Sequence, residues 1–360
     1  MIALVSFVSG LVALVVGAEL LVRGASKLAL SFGISPLVVG LTVVAFGTGS
    51  PELAVAIQAA MANQADITVG NVVGSNIFNV LFILGLSALI TPLIINRQLI
   101  RQEVPIMVGT SLLVAALAWD GTMSRLDGLI LVCLLAVYTG FLIVQSRRQE
   151  AGSDAPEPAT EDSGPGWDSK LPVQIALIVV GLVMLVFGAT WLVDAAITFA
   201  RLFGVSEMVI GLTIVAAGTS LPEVATSIMA AVRGQRDIAV GNVVGSNIFN
   251  LLGVLGVSAA VLPGGLSIAP AMMAFDIPVM IAVAIACLPI FFTGNLIARW
   301  EGALFLALYV GYTVYLVMAA QQHDALSTYS LVLGTIVLPL CALTVAVIAW
   351  REWHAGRQTR

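Results

Sequence analysis

One stretch of this chain is written twice. Residues Gly40 to Leu81 read GLTVVAFGTGSPELAVAIQAAMANQADITVGNVVGSNIFNVL, and residues Gly211 to Leu252 read GLTIVAAGTSLPEVATSIMAAVRGQRDIAVGNVVGSNIFNLL. They align without a gap at an offset of 171 residues. About two thirds of the positions are identical, far above what shared apolar composition produces. Each copy sets a Thr, a Pro and a Glu in the middle of a membrane-length segment: Thr48, Pro51 and Glu52, then Thr219, Pro222 and Glu223. Each places a Gly-Ser-Asn-Ile-Phe-Asn run in the next segment. Carboxylates and amides are expensive in hydrocarbon, so their recurrence at matched positions in two halves marks a site.

The medium follows from composition. The chain has 360 residues, is 59% hydrophobic and 10% charged, and has a mean hydropathy of +1.06. Soluble domains carry about 25% charged residues. The apolar runs are continuous rather than alternating, which predicts membrane-spanning helices rather than a barrel. The fold class expected is all-α: a polytopic membrane protein of two inverted-topology repeats of five helices, with an eleventh helix near the C-terminus. The spans are expected near 2–30, 36–62, 67–91, 103–119, 127–145, 172–200, 207–232, 238–262, 271–293, 299–319 and 327–350. Residues 1–145 and 171–320 form the two halves. Residues 146–170, rich in Pro, Gly, Ser and acid, form a flexible cytoplasmic linker, and 321–360 carry the extra helix and a basic tail.

The repeat reaches past its two central helices. Gly17 matches Gly188 and Gly33 matches Gly204; Glu103-Val-Pro105 resembles Asp276-Ile-Pro278, and Arg125-Leu-Asp-Gly128 resembles Arg299-Trp-Glu-Gly302. Five spans per half is an odd number, so the second half enters the membrane from the opposite side. An N-terminus outside puts thirteen of the fifteen basic residues on the inner side, with only Arg125 and Arg201 outside, and makes the C-terminus cytoplasmic.

Proline and glycine before each glutamate predict a helix break, freeing carbonyls such as those of Ala45 and Ala216 toward a cavity. Thr48 and Thr219 lie four residues before their glutamates, on the same face. In the next helices Asn71, Ser75 and Asn79 form one polar stripe, repeated by Asn242, Ser246 and Asn250, with Asn76 and Asn247 on an adjacent face as ligands or as their hydrogen-bonding support. All these groups are hard oxygen donors. Calcium takes six to eight such oxygens, sodium a similar set with less charge, and zinc or a soft metal is disfavoured. No basic residue sits at mid-depth, which argues against an anionic substrate. Asp66 and Asp237 read as caps or dipole partners of their helices, and Glu19 with Arg23 as a local ion pair. Cys133, Cys287 and Cys341 fall inside spans with no CxxC or nearby His, which argues against disulfide and zinc roles. No basic stripe suggests nucleic acid, no nucleophile–base set suggests an enzyme, and no cofactor is implied.

The two runs, GTGSPE and GTSLPE each followed by GNVVGSNIFN, resemble the alpha repeats of the calcium/cation antiporter superfamily, the sodium/calcium exchangers. The resemblance covers the first ten spans, most tightly residues 40–88 and 211–259. It implies a ten-helix core, alternating access, and four cation sites between the second, third, seventh and eighth helices. By position, Glu52 and Glu223 resemble the shared carboxylates of the calcium site, with Thr48 and Thr219 adding carbonyl oxygens. Ala45, Ser75, Ala216, Ser220 and Ser246 resemble sodium ligands, and Asn79 and Asn250 the central pair. Gly49 stands where the family usually has Ser, and Asn250 where several members have Asp, which implies no potassium requirement. The function expected is sodium-driven calcium antiport, with calcium and sodium as transported substrates. A proton-coupled cation antiporter is the alternative, and a passive channel a weaker one.

Overall fold

The computed structural model describes residues 2–151, 168, 170–203, 214, 216–292, 294–341, 343 and 347. Those residues are almost wholly helical. We label the helices α1 (Ile2–Phe32), α2 (Pro36–Thr48 as α2a and Ser50–Met61 as α2b), α3 (Ala65–Ile90), α4 (Leu99–Leu117) and α5 (Arg125–Ala151). Then follow α6 (Leu171–Leu202), α7 (Ala216–Gly218 as α7a and Leu221–Val232 as α7b), α8 (Arg236–Val261), α9 (Met272–Phe292), α10 (Arg299–Ala320) and α11 (Leu326–Val332, continued by Leu333–Val337). Among the described residues, eight helices are long and apolar enough to cross a membrane, or nine counting the bent α2 as one. The first part of the seventh expected span, much of the linker and the end of the eleventh span lie outside the described residues.

The halves interlock. Gly85 of α3 meets Gly302 of α10, where a methyl group on Gly302 would stand 2.6 Å from the Gly85 carbonyl oxygen. The mirror contact joins Gly256 of α8 to Gly128 of α5, where the corresponding distance is 2.6 Å. Each half thus contributes the helix that backs the other half's polar helix, and only glycine lets the backbones approach so closely. Four two-residue strands repeat the exchange: Leu93–Ile94 pairs antiparallel with Leu296–Ile297, and Thr122–Met123 with Leu266–Ser267.

Helices α1 and α6 form a second unit on the flank. Gly10, Gly17 and Gly24 recur every seven residues on α1 and face Gly188, Gly181 and the Gln174–Ile178 turn of α6. The heptad spacing keeps one antiparallel seam. Glu19 and Arg23 do not spend their charges on one another as their spacing suggested. Glu19 accepts from Arg233 at the end of α7b at 2.8 Å, and Arg23 donates to Asp168 at 2.7 Å. An i,i+4 pair offers only about 0.2–0.5 kcal/mol, so partners on neighbouring segments outcompete it.

Candidate cation site

Proline dictates where α2 and α7 bend. Pro51 and Pro222 lack the N–H that would continue the preceding helix. The chain turns at Gly49 (φ −77°, ψ 2°) in α2 and at Thr219–Ser220 in α7, where Ser220 has φ −88° and ψ 6°, a bridge-region backbone common at functional turns. In α2 the resulting bend is 44°. The break is tighter than an unwound turn. The Ala45 carbonyl is therefore not freed as expected, because it accepts the Gly49 N–H at 3.0 Å and keeps one lone pair. Ala216 begins α7a, just before the equivalent turn.

Glu52 and Glu223 each open the helix after the break, and each is 1% exposed. Their surroundings cross between the halves. Ser220 Oγ donates to Glu52 Oε1 at 2.9 Å and stands 3.3 Å from Ser75 Oγ. Thr48 Oγ1 lies 3.1 Å from the Val44 carbonyl and 3.2 Å from Asn242 Oδ1, and Thr219 Oγ1 donates to Asn71 Oδ1 at 3.4 Å. Among the described residues, no basic side chain bonds either glutamate.

Each polar stripe ends where its helix widens into a π-turn, Asn79–Leu84 in α3 and Asn250–Val254 in α8. Such bulges cluster at functional sites. The four asparagines there bond reciprocally. Asn79 Nδ2 donates to Asn247 Oδ1 at 3.0 Å, and Asn250 Nδ2 to Asn76 Oδ1 at 3.2 Å. Asn76 Nδ2 donates to the Asn247 carbonyl at 3.2 Å, and Asn247 Nδ2 to the Asn76 carbonyl at 3.4 Å. Asn76 and Asn247 thus hold Asn250 and Asn79 through their side-chain oxygens. The amide nitrogens of Asn79 and Asn250 are held, and their oxygens are left over. Asp66 and Asp237 stand in the first turns of α3 and α8, where the helix dipole favours them.

The result is a set of buried acceptors that take no donor from the described residues: Oε2 of Glu52 and Glu223, Oδ1 of Asn79 and Asn250, and Oγ of Ser246. A buried polar group left unpaired costs about 1–3 kcal/mol, and more if charged. Five of them rival the stability of a domain. They call for a positive partner from outside the chain. Two carboxylates with neutral amides and hydroxyls suit a hard cation.

Comparison with known proteins agrees. The family described as "Sodium/calcium exchanger protein" matches residues 2–144 and 173–318. The inner membrane protein YrbG of Escherichia coli is 40% identical over 277 residues, 77% of this chain and 84% of that protein. The sodium/calcium exchanger MaX1 of Methanosarcina acetivorans is 35% identical over 338 residues, 85% and 96% of the two chains. The putative antiporter CaxA of Alkalimonas amylolytica is 37% identical, covering 87% of this chain and 98% of its own. Solved structures of the sodium-calcium exchanger NCX_Mj superpose with a TM-score of 0.72 at 31% identity, over 86% of this chain and 97% of that one. Its duplicated helices, its oxygen-lined centre and these relatives together make this chain a multi-pass cation antiporter, a transporter rather than an enzyme, and a member of the sodium/calcium exchanger family.

Proposed function

We propose that the protein moves calcium across the membrane against sodium, by alternating access to one central site. The observation that carries this reading is the mirror-related set of unpartnered acceptors on Glu52, Glu223, Asn79 and Asn250. Both carboxylates serve calcium, with Thr48 and Thr219 beside them. Ser75, Ser220 and the Ala216 carbonyl serve sodium, Ser246 and the Ala45 carbonyl stand at the mirror-related position, and Asn79 and Asn250 serve the centre. Two negative charges balance one calcium or two sodium ions. The loads exclude one another, because both together leave excess positive charge in a dry site. The named relatives that exchange sodium for calcium point the same way.

Broken symmetry supports the alternation. The α1–α6 seam obeys the internal two-fold: Gly10 faces Gly188 as Gly181 faces Gly17. Its seat on the core does not. The nearest side chain to Gly47 is Leu182 of α6, so symmetry would set Leu11 of α1 beside Gly218. Instead Val193 of α6 stands there, 2.7 Å from where a methyl would be. Both α1 and α6 lie along α7b, while neither lies along α2b to a similar extent among the described residues. Asn242, on the α7b side, is fully buried, whereas Asn71, on the α2b side, is half-buried. The site is thus closed toward α7b and thinner-walled toward α2b, which is the outside for an N-terminus outside. Exchanging the two halves' environments gives the opposite access.

The test is calcium uptake into proteoliposomes with sodium, potassium and proton gradients imposed separately. A sodium gradient alone should drive uptake, and Glu52→Gln and Glu223→Gln should abolish it. Uptake driven by a pH gradient and indifferent to sodium would replace the reading with proton coupling.

A further inference from the structure

The two halves of the site are not equally furnished, and the differences act together. Where the second half has Ser220, hydrogen-bonded to Glu52 and beside Ser75, the first half has Gly49. Where the second half has Ala217, the first has Phe46. Where the first half has Phe82, the second has Gly253. These exchanges redirect one aromatic ring. Phe78 stacks on Phe82 at 4.7 Å, within its own helix. Its mirror, Phe249, finds only Gly253 at the equivalent place and crosses to stack on Phe46 at 4.6 Å. There the Phe249 ring covers Gly49: a β-carbon on Gly49 would lie 3.0 Å from Cδ1 of Phe249 and 3.0 Å from the Ala45 carbonyl oxygen. The hydroxyl is missing and an apolar ring occupies its approach. Ser246, the counterpart of Ser75, keeps a buried hydroxyl with no partner.

Resting on the sodium-coupled reading above, we infer that Phe46, Gly49 and Phe249 remove one monovalent subsite, so that the protein exchanges two sodium ions for each calcium and moves no net charge. The remaining pocket, at Glu52, Ser75 and Ser220, keeps its hydroxyls. The only charges the described site supplies are its two carboxylates. Two sodium ions neutralise them as one calcium does. A third would need oxygens where the ring stands and would leave a net positive charge in a buried site.

The full chain in liposomes tests this at equilibrium, with the membrane potential set by potassium and valinomycin. Each tenfold sodium gradient contributes the same free energy per ion. With two ions, a tenfold sodium gradient holds about a hundredfold calcium gradient at any imposed potential. With three, it holds about a thousandfold gradient at zero potential, and the gradient shifts with voltage. Electroneutral exchange by the wild type, together with voltage dependence gained in Phe46→Ala/Gly49→Ser, which copies the second half, supports the inference. Phe46→Ala alone, which adds no atoms, should move the ratio in the same direction. A voltage-dependent wild type overturns it. So does a double variant that transports but stays electroneutral, because the rings then do not set the count. Absence of any sodium-driven flux is a different failure, which sinks the sodium reading itself.

Discussion

Asn247→Ala isolates the support beneath the site from the site. The Asn247 side chain is 2% exposed and hydrogen-bonds none of the unpartnered acceptors; its amide nitrogen also stands 3.4 Å from Met107 Sδ. Its Oδ1 receives Asn79 Nδ2 at 3.0 Å, and its Nδ2 reaches the Asn76 carbonyl at 3.4 Å. Truncation deletes one good hydrogen bond, worth about 1 kcal/mol, and strands the Asn79 amide N–H in a buried place, at about 1–3 kcal/mol. Asn79 escapes the second cost only by turning its amide over, which points N–H donors at the cation in place of Oδ1. The loss therefore falls on cation binding. About 2–4 kcal/mol corresponds to calcium affinity weakened roughly 30- to 1,000-fold. Calorimetric calcium titration of purified protein reads it directly, with thermal unfolding as the companion measurement. Asn76→Ala should behave alike, through Asn250 and its 3.2 Å bond. An affinity for calcium within twofold of wild type in Asn247→Ala would refute the assignment of the outer asparagines as supports.

Other perturbations have definite expected outcomes. Ser87→Ala and Ser258→Ala remove buried hydroxyls that have no partner; both should leave the unfolding temperature unchanged or raise it. Gly128→Ala forces a methyl to within 2.5 Å of the Ala260 nitrogen and should cost about 1–3 kcal/mol or more of stability. Gly109→Ala, with nothing within 4 Å of the new methyl, should be neutral or stabilising by thermal shift. Asp168 is held below the usual carboxylate range by its hydrogen bond from Arg23, aided by the charges of Arg23 and Lys27. Its stabilising effect is thus complete above the unfolded value of about 4 and is lost as pH falls through the depressed one. Asp168→Asn should flatten that acid loss in thermal melts by under about 1 kcal/mol, since the Arg23 side chain is 44% exposed.

Much of this was readable without coordinates, for physical reasons. A carboxylate after Thr and Pro, in mid-membrane and stated twice, leaves few alternatives; Glu52 and Glu223 are both buried, and Ser220 of the other half donates to Glu52. The i, i+4, i+8 spacing put Asn71, Ser75 and Asn79 on one face because helical period alone decides that. What periodicity cannot encode is the partner across the interface. Asn76 and Asn247 looked equally suited to ligation or support until their bonds to Asn250 and Asn79, 174 and 168 residues away, assigned their oxygens. The Ala45 carbonyl looked free because a proline follows, yet a single bridge-region glycine absorbs the bend. Gly49 could be seen to lack a hydroxyl; that Phe249 covers its place depends on three separate exchanges, at positions 46, 49 and 253.

The glycine contacts between α3 and α10 also bear on how the chain matures. The groove at Gly85 is filled by residues that leave the ribosome more than two hundred positions later, around Gly302. Until that late helix is threaded into the bilayer, lipid tails must stand in for it against an indented backbone they match poorly. Biogenesis must therefore hold the early helices in a provisional arrangement, and a nascent product stopped before Arg299 should be recognised as unfinished by membrane quality control.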